Sequence, residues 1–567
     1  MRSRFYFLFI LLMCVCYASA QSPQTQPQLQ TQPQTQPEPK ADLLLKNCTV
    51  TTMDTELPAA NTVAIGGEKI LWVGDVSESG KWIGKSTKVM DLGGAFVYPG
   101  LIDSHAHIRN LGSLHLEIDL TGTPDKAAVI AKVKERIAKA KKNEWIQGRG
   151  WDQNDWPDKH FPTASDLDPV SPNNPVVLER IDGHAYWVNS GALKIAGITA
   201  ATKDPDGGKI YRDAKGNPTG LLVDNAEDLI DEQMKSLTRQ ELIDRTKLAV
   251  QDAVQKGITM IHDAGAMEED LEAWKQMAAY DQLPVRIYAM VWMPSGFGEK
   301  FLRSGPSRYG PYLDVRSVKL VMDGALGSRG AAMMEPYSDD PGNVGLLRWK
   351  QDELMRVLQA AKEKKIQVNI HAIGDRANRV VLDAYEKVGV QGLRWRVEHA
   401  QILALSDIPR FSQLGIIASM QPTHATSDMP WATDRVGPER IKGAYAWRSL
   451  LDSKAMIAGG SDAPVEDINP LWGIYSAITR QDHQGKPEGG WHPEQLVTRE
   501  EALRMFTVNA AYAAFRENDL GKIKAGMLAD LIVLPENLMT CNPKDLISMK
   551  VRYTIVGGKM RYPEKTK

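Results

Sequence analysis

The sequence is short of cysteine. Only four of its 567 residues are cysteines, and Cys14 and Cys16 fall within the first twenty residues. The other two, Cys48 and Cys541, are far too few for a fold that disulfides hold together, so stability must come from the burial of apolar side chains. These two lie near opposite ends of the chain and could pair only if the ends pack together. We therefore expect two unpaired thiols.

The sequence also lacks a strong net charge and a long hydrophobic run. The formal net charge is −2, and it becomes −4 once the first twenty residues, with Arg2 and Arg4, are left out. This weak charge gives no reason to expect a nucleic-acid partner or binding to an anionic membrane. The apolar run at residues 5–17 spans 13 residues, below the roughly 20 that a membrane-spanning helix needs. We expect no stable membrane insertion.

The start of the chain has the pattern of a signal peptide. Two arginines precede the apolar run, and Ala18-Ser19-Ala20 follows it as an A-x-A cleavage site. We predict a signal peptide at residues 1–20 and export to the periplasm or the extracellular space. A retained anchor is the less favoured alternative. A lipoprotein signal is disfavoured because Met13 and Val15 stand where small residues would precede the cysteines.

The composition beyond this leader is that of a globular protein with one disordered segment. Hydrophobic residues make up 43% and charged residues 24% of the chain. Residues 21–40 hold eight glutamines and five prolines with almost no apolar groups, so they cannot offset the entropy of ordering and are predicted to be a disordered tether. Short alternating strands at residues 41–98 resemble those at residues 485–567, and we predict that both ends share one small β-sandwich.

Between these ends, short apolar runs alternate with amphipathic helical stretches at residues 127–142, 239–256 and 351–365. This alternation is typical of βα units around a parallel sheet, either a barrel or an open doubly wound sheet. The strand candidates number nine, at residues 101–105, 176–180, 258–263, 285–292, 317–323, 367–371, 394–399, 416–421 and 456–461. A (β/α)8 barrel at residues 99–484 has eight places. We leave out 176–180, because residues 113–245 are too long for a single crossover and are predicted to be an inserted subdomain.

Polar residues that could bind a metal stand at the carboxyl ends of several strand candidates, where active sites form in parallel barrels. His105 and His107 end the first strand at positions i and i+2, so they point the same way. Alone this pair of histidines is weak evidence for a metal site. Further strand ends carry one such residue each, namely Lys319, His371, His399 and Asp462. Burying so many ionisable groups together is costly unless a metal compensates, so the joint pattern predicts a metal site.

The same order of residues resembles the amidohydrolase superfamily across nearly the whole mature chain. Four segments are similar to its YtcJ-like branch, which is related to N-substituted formamide deformylases. They are Gly150-Trp151-Asp152-Gln153-Asn154, Asp182-Gly183-His184, the run from Met322 to Arg329, and the run from His371 to Ala377. The resemblance implies an α/β fold, a distorted (β/α)8 TIM barrel with a β-sandwich made from both chain ends.

The resemblance also implies a divalent-metal centre. It assigns His105, His107 and Asp462 to a first ion, and His371 and His399 to a second. Lys319 would bridge the two as an N6-carboxylated lysine, because an ammonium group has no free lone pair to offer a metal. Without carboxylation the site would hold one ion. Zinc is the first expectation, with manganese, nickel and iron as alternatives.

We expect hydrolysis of a carbon–nitrogen bond, in an amide or N-formyl group of a small molecule. A metal lowers the pKa of water and polarises the scissile carbonyl. Asp462 is the expected catalytic proton shuttle, which takes the proton and passes it to the departing amine. Five residues are candidates for substrate binding, namely Trp151, Asp152, His184, Asp323 and Arg329. His424 is interpreted as an ordinary loop residue.

These residues also allow purely structural roles and other functions. Lys319 could simply reach solvent or pair with Asp323, and the Asp-Gly pairs at residues 182 and 323 could be turns. The same ligand set could serve a cyclic amide, another carbonyl substrate or a deamination, since the fold does not decide among them. A catalytically silent barrel that only binds a ligand is a third hypothesis. We expect a small-molecule substrate and consider a homodimer for the assembly.

Overall fold

The computed structural model describes residues 39–563, and its strands and helices account for the three sheets that position the site. Strands β1 to β12 are Leu43–Thr51, Ala59–Ala60, Thr62–Gly66, Lys69–Gly74, Lys88–Pro99, Leu101–Ala106, Ile118–Asp119, Ile146–Trp151, Val176–Arg180, Ala185–Val188, Gly208–Arg212 and Pro218–Asp224. Strands β13 to β23 are Ile258–Ala266, Arg286–Trp292, Ser307–Tyr309, Leu313–Val321, Gln367–Ala372, Arg396–His399, Ile417–Met420, Met456–Gly459, Leu531–Leu534, Tyr553–Val556 and Lys559–Tyr562.

The α-helices lie mainly between the strands of the parallel sheet and beyond it. Helices α1 to α9 are Ile108–Leu114, Lys126–Ile137, Ala164–Leu167, Ser190–Ile195, Asp228–Asp231, Arg239–Gln255, Glu268–Ala279, Gly296–Ser304 and Gln351–Glu363. Helices α10 to α18 are Asp375–Val388, Ile408–Leu414, Pro422–Asp428, Ala432–Arg440, Trp447–Asp452, Pro470–Thr479, Arg499–Met505, Val508–Ala513 and Asp545–Ser548.

Eight parallel strands form a nearly closed barrel in the order β6, β13, β14, β16, β17, β18, β19 and β20. The end of the first strand meets the segment that follows the last strand. There Ala106 forms a β-bridge with Ala463, and the backbone N–H of Asp462 donates to the backbone carbonyl of His105 at 2.7 Å. The predicted distorted (β/α)8 barrel is confirmed. All eight strand candidates kept for the barrel are strands of it.

The helices form where the apolar spacing predicts them. Helix α6 begins after Thr238, whose side chain and that of Glu241 form a reciprocal capping box. Its apolar face, which includes Leu242 and Val250, is buried in the large core around the barrel. The prediction for this helix, residues 239–256, differs from the observed Arg239–Gln255 by one residue. Burial of one face therefore fixes the helix, while the cap fixes its start.

The strand candidate at residues 176–180 lies in a separate sheet, as its exclusion from the barrel requires. This six-stranded sheet has the order β11, β12, β10, β9, β8 and β7 and lies between the first and second barrel strands in the sequence. One face packs around Trp151, Trp156 and Trp187. The other face packs around Val188 and Leu222. The sheet thus has a core of its own on both sides.

Strands from both ends of the described chain form the third sheet, whose order is β23, β22, β21, β5, β1, β3 and β4, with β2 added beside β1. Its inner face is apolar and includes Leu45, Val97 and Leu531. Cys48 and Cys541 are both free thiols, as expected. A buried ion pair joins this sheet to the barrel, with Arg286 donating to both carboxylate oxygens of Asp530 at 2.8 and 2.9 Å.

Two predictions fall outside the described residues. The signal peptide at residues 1–20 and nearly all of the tether at residues 21–40 belong to this group. Among the described helices, none combines the length and the apolar character needed to cross a membrane.

Candidate functional site

The six predicted metal ligands come from five barrel strands and meet at one end of the barrel. Each lies at or just after the carboxyl end of its strand, and this arrangement follows from the parallel direction of the strands. The residues are His105 on β6, His107 just after β6, Lys319 on β16, His371 on β17, His399 on β18 and Asp462 after β20. The sequence separates them by more than 350 positions, and the closed sheet brings them together.

Asp462 lies at the centre of this group. Its Oδ1 is 3.3 Å from Nε2 of His105 and 3.1 Å from Nε2 of His107. One ligand atom each from His105, His399 and Asp462 lies within 4.8 Å of the other two. Ligands about 2 Å from a shared ion lie roughly 3–4 Å from each other, so the spacing suits one metal ion.

Lys319 and His371 border the same cluster. The Nζ atom of Lys319 is 3.4 Å from Nε2 of His105, and the side chain is buried. The rings of His371 and His399 have centroids 4.6 Å apart. Lys319 therefore neither reaches solvent nor pairs with Asp323, the two structural roles considered for it. All six candidates lie within one contiguous set of contacts.

Three buried side chains orient these residues. Glu398 accepts from Nδ1 of His105 at 2.5 Å, and this contact leaves the Nε2 lone pair of His105 free for a metal. The Oε1 atom of Gln421 lies 2.8 Å from Nδ1 of His399 and acts in the same way. Asp103 accepts from the backbone N–H of both His105 and Ser461, so it ties the first strand to the last.

The electrostatics suit ligands rather than charged surface groups. Burial lowers the pKa of His107 to about 4 and moves the pKa of His371 and His399 well below the ordinary histidine range. These imidazoles are therefore neutral near pH 7 and keep a lone pair. Burial alone would raise the pKa of Asp462, but His105 and His107 outweigh it and hold that pKa well below its usual range.

A pocket of about 270 Å³ opens beside the cluster. His371, His399 and Asp462 form part of its wall. The rest comes from the inserted sheet and its loops, and from the segments that follow barrel strands β16 to β20. A cavity near this size takes a small molecule rather than a polymer.

Two of the predicted substrate-binding residues line this pocket. His184 does so with Nδ1 2.7 Å from Oδ1 of the buried Asp224, and its ring centroid is 5.1 Å from that of His371. Asp152 lines the pocket and pairs with Arg180. Both residues belong to the inserted segment, so this segment and the barrel build the pocket jointly.

Trp151 and Arg329 do not line the pocket, contrary to the prediction. Trp151 is fully buried in the core of the inserted sheet, where its indole N–H donates to the carbonyl of Leu178 at 2.8 Å. A large apolar ring gains more from this core than from a solvated pocket. Arg329 forms an ion pair with Asp339 at 3.0 Å.

Asp323, predicted to bind substrate, also lies outside the pocket lining. Its side chain is fully buried and accepts hydrogen bonds from the backbone N–H groups of Ala332, Ile373 and Gly374. One of its oxygens lies 3.4 Å from Nε2 of His371. The residue therefore holds the loop around His371 rather than a ligand in the pocket.

His424 was missed, because it was interpreted as a loop residue. It lies on α12 directly after β19, lines the pocket, and has Nε2 3.7 Å from Oδ2 of Asp462. The rule that polar residues after barrel strands form the site would have found it. Glu398 was missed too, although it precedes His399 directly, because its sequence neighbour was taken as the sole functional residue of that strand.

The residues present fit a divalent metal ion. The neutral imidazoles of His107 and His399 lie beside a carboxylate that stays ionised, and this donor set is typical of zinc and related ions. Oε1 of Glu398 is buried with no hydrogen-bond partner among the described residues. Unpaired buried groups are costly, and a bound cation would compensate part of that cost.

Comparison with known proteins agrees with this geometry. The profile of the amidohydrolase family matches residues 88–562. The chain is 38% identical to the protein LONG AFTER FAR-RED 3 of Arabidopsis thaliana, over 92% of each chain. It is 35% identical to YtcJ of Bacillus subtilis, named as an amidohydrolase, over 85% of this chain and 92% of that one. N-substituted formamide deformylase of Arthrobacter pascens is 29% identical over 92% of this chain and 98% of the deformylase.

A solved structure extends the likeness to three dimensions. An uncharacterized metal-dependent hydrolase from Pyrococcus horikoshii has a TM-score of 0.73 and 27% identity, covering 88% of this chain and 99% of that one. The family predicted from the strand-end residues is thereby confirmed. The chain belongs to the amidohydrolase family, and it is a hydrolase enzyme.

Proposed function

We propose that this enzyme hydrolyses a carbon–nitrogen bond in an amide or N-formyl group of a small molecule. The observation that carries the proposal is the meeting of His105, His399 and Asp462 beside a pocket of small-molecule size. The name of the Arthrobacter relative, N-substituted formamide deformylase, supports the choice of bond. A substrate carbonyl beside this cluster would lie within reach of both an activated water and a proton carrier.

The proposed cofactor is a divalent metal, with zinc as the first choice. His105, His107 and Asp462 would hold one ion, and His371 with His399 would hold a second. Such an ion supplies Lewis acidity, since it lowers the pKa of water and polarises the scissile carbonyl. The lowered pKa values of His107, His371 and His399 support this assignment, because only a neutral imidazole can bind a metal.

Lys319 would contribute as a carbamate formed with CO2. Burial lowers the pKa of its ammonium group, and a neutral amine is the form that reacts with CO2. The product is an anionic oxygen donor beside His105, from which Nζ is 3.4 Å away. With an unmodified Lys319 we expect a single ion.

Asp462 is the proposed proton carrier. The oxygen of water joins the carbonyl carbon, and Asp462 accepts the proton that water gives up. The carbon–nitrogen bond then breaks, and Asp462 passes this proton to the departing nitrogen. Its position 3.1 Å from His107 and 3.3 Å from His105 keeps the carboxylate at the reacting atoms. Asp152 and His184 would hold the substrate.

Two other functions remain in competition. The same ligands could act on a cyclic amide or another carbonyl compound, or deaminate, and profiling with one member of each class separates these reactions. A barrel that only binds a ligand is the other alternative. That alternative would gain if the purified protein held no metal and chelation left its melting temperature unchanged.

The test is metal analysis of the purified protein beside its His107→Ala variant, with turnover of simple N-formyl amines and intact mass for CO2 on Lys319. We expect metal and activity in the wild type and a marked loss of both in the variant. His115→Ala is the matched control, because His115 is exposed and outside the pocket. Equal metal content in wild type and His107→Ala would contradict the site.

A further inference from the structure

The pocket beside the metal ligands is rich in carboxyl groups. Besides Asp462, five of them line it, namely Asp152, Asp155, Asp182, Asp428 and Glu466. Arg180 is the single arginine or lysine among its described lining residues. The pocket therefore has an excess of carboxyl groups that the metal ligands do not account for.

Arg180 neutralises only part of this excess. It forms ion pairs with Asp152 and with Asp182, whose Oδ2 is 2.6 Å from its NH1. Its Nε donates to the side-chain oxygen of Gln153. The hydrogen bonds of Arg180 thus go to Asp152, Asp182 and Gln153, and none of them reaches the other three carboxylates of the wall.

The other three carboxylates have no arginine or lysine partner in the described part of the chain. Asp428 accepts from the hydroxyl of Tyr445 at 2.6 Å and from Gln401 at 2.9 Å. Glu466 accepts from the hydroxyl of Ser427. Asp155 forms no side-chain hydrogen bond to another described residue. Asp155, Asp428 and Glu466 are called the acidic wall below.

Burial and repulsion from neighbouring carboxylates disfavour the ionised form of two members of the acidic wall. Burial, together with repulsion from Glu466 and Asp152, raises the pKa of Asp428 to about 8. Burial and the nearby Asp462 raise the pKa of Glu466 to about 7. Several carboxylates that repel one another in a partly buried cavity are costly for the free protein, and a bound cation would relieve that cost.

The acidic wall does not have the geometry of a second metal site. Among the described residues, the group whose ligand atoms converge within 4.8 Å is His105, His399 and Asp462, and no member of the acidic wall belongs to it. Spread carboxylates suit the larger radius of an organic cation. A separate observation also points to a ligand: His424 lines the pocket at 9% exposure, and its Nε2 has no hydrogen-bond partner among the described residues.

We propose that the molecule hydrolysed at this site carries a positively charged amine or guanidine group. This group lies against Asp155, Asp428 and Glu466, while the scissile bond lies at the metal ligands. Nε2 of His424 is available to a polar atom of the substrate that lies between its charged group and its scissile bond. The inference rests on the proposed function for the bond that is broken, but the preference for a cation can be measured independently of that bond.

The kinetic test compares N-(5-aminopentyl)formamide with N-hexylformamide, in which a methyl group replaces the ammonium. We expect kcat/KM to favour the cationic substrate by about 10-fold to 100-fold, the range of one charged hydrogen bond. In the double variant Asp428→Asn with Glu466→Gln the ratio should fall toward 1. Glu439→Gln should keep the wild-type ratio, because Glu439 is exposed, pairs with Lys442 and lies outside the pocket.

The binding test uses the metal-loaded enzyme and two molecules of the same shape, choline and uncharged 3,3-dimethylbutan-1-ol. A quaternary ammonium has no lone pair, so its nitrogen cannot bind the metal. Calorimetry should show at least 10-fold tighter binding of choline, and the double variant should lose this difference. Equal affinity for both molecules, or an unchanged preference in the double variant, would overturn the proposal. Preferred choline binding without hydrolysis of either formamide would support the cation preference and refute the proposed function.

Discussion

Asp462 is surrounded by histidines of the site. Its two oxygens face His105, His107, His399 and His424 at distances between 3.1 and 4.0 Å. These neighbours keep its pKa well below the ordinary range although the side chain is buried. The carboxylate therefore stays ionised, as a metal ligand must. Substitutions can separate this role from the proposed role as proton carrier.

Replacing Asp462 with asparagine should affect turnover more than metal content. The amide keeps one oxygen that can face the metal, but it cannot accept a proton near neutral pH. We expect kcat to fall about 10²-fold to 10⁴-fold, the usual contribution of a positioned acid–base group. His105→Ala should lose far more metal than Asp462→Asn. Metal analysis and steady-state kinetics check both values, and a fully active Asp462→Asn enzyme would refute the proton-carrier role.

Glu398 should control metal affinity without touching the metal. Its carboxylate fixes which nitrogen of His105 carries the proton, and a glutamine can present an N–H there instead. We expect Glu398→Gln to weaken metal affinity about 10-fold to 100-fold, as substitutions behind metal-binding histidines commonly do. Competition with a chelator measures this change. Glu494→Gln is the control, because Glu494 contacts the exposed His492 at 3.0 Å, and an equal effect of both would contradict the argument.

At the scale of elements, the turn between β17 and α10 shows how a loop is made rigid enough to carry a ligand. Asp323 accepts three backbone N–H groups from the residues around His371 and from the loop at Ala332. Gly374 ends this turn, and a Cβ there would lie 2.0 Å from the carbonyl oxygen of Ala332. The close approach of two backbones therefore requires glycine, and the hydrogen bonds of Asp323 depend on it.

Gly374→Ala should push the two backbone segments apart. Because the clashing atom belongs to the backbone, we expect a loss of about 1–3 kcal/mol in the free energy of unfolding, the usual range for an overpacked site. The melting temperature should fall and metal should bind less tightly through displacement of His371. Gly296→Ala is the matched control, since a Cβ at Gly296 meets nothing within 4 Å. Similar melting temperatures for the two variants would show that the turn adapts.

At the scale of the whole molecule, the three sheets have different roles. The barrel supplies the proposed metal ligands, the inserted sheet supplies Arg180 and His184 to the pocket, and the sheet from both chain ends packs against the barrel. The buried pair of Arg286 and Asp530 joins that third sheet to barrel strand β14, and Asp530 also accepts the backbone N–H of Gly557 at 2.7 Å. The ends of the chain are thereby tied to the barrel.

Asp530→Ala should destabilise the whole molecule while leaving the site residues in place. Removing one partner leaves the Arg286 guanidinium buried without its counter-charge, which costs about 3–5 kcal/mol. Glu439→Ala removes the partner of Lys442 from an exposed pair, where a loss of about 0–1 kcal/mol is expected. Denaturant unfolding compares the two variants. A loss for Asp530→Ala no larger than that for Glu439→Ala would mean that the pair does not hold the sheets together.

The sequence by itself determined the barrel and its strand-end residues. Hydrophobic runs at the right spacing identified eight barrel strands, and polar residues such as His371 and Asp462 stood out at the ends of those strands. These signals are local, because a few neighbouring residues are enough to indicate which face of an element is buried and where a strand ends. They could not assign Trp151, Asp323 and Arg329, whose partners come from elsewhere in the fold.

Only the tertiary structure decided how the pocket is lined. Asp428 and Glu466 stand after the last two barrel strands, while Asp155 and Arg180 belong to the inserted segment, and nothing in their local sequence indicates that they face one cavity. Likewise, the contact between Glu398 and His105 joins residues 293 positions apart. Contacts of this kind depend on how the strands close and where the insertion packs, and the period of the side chains along one strand carries no information about either.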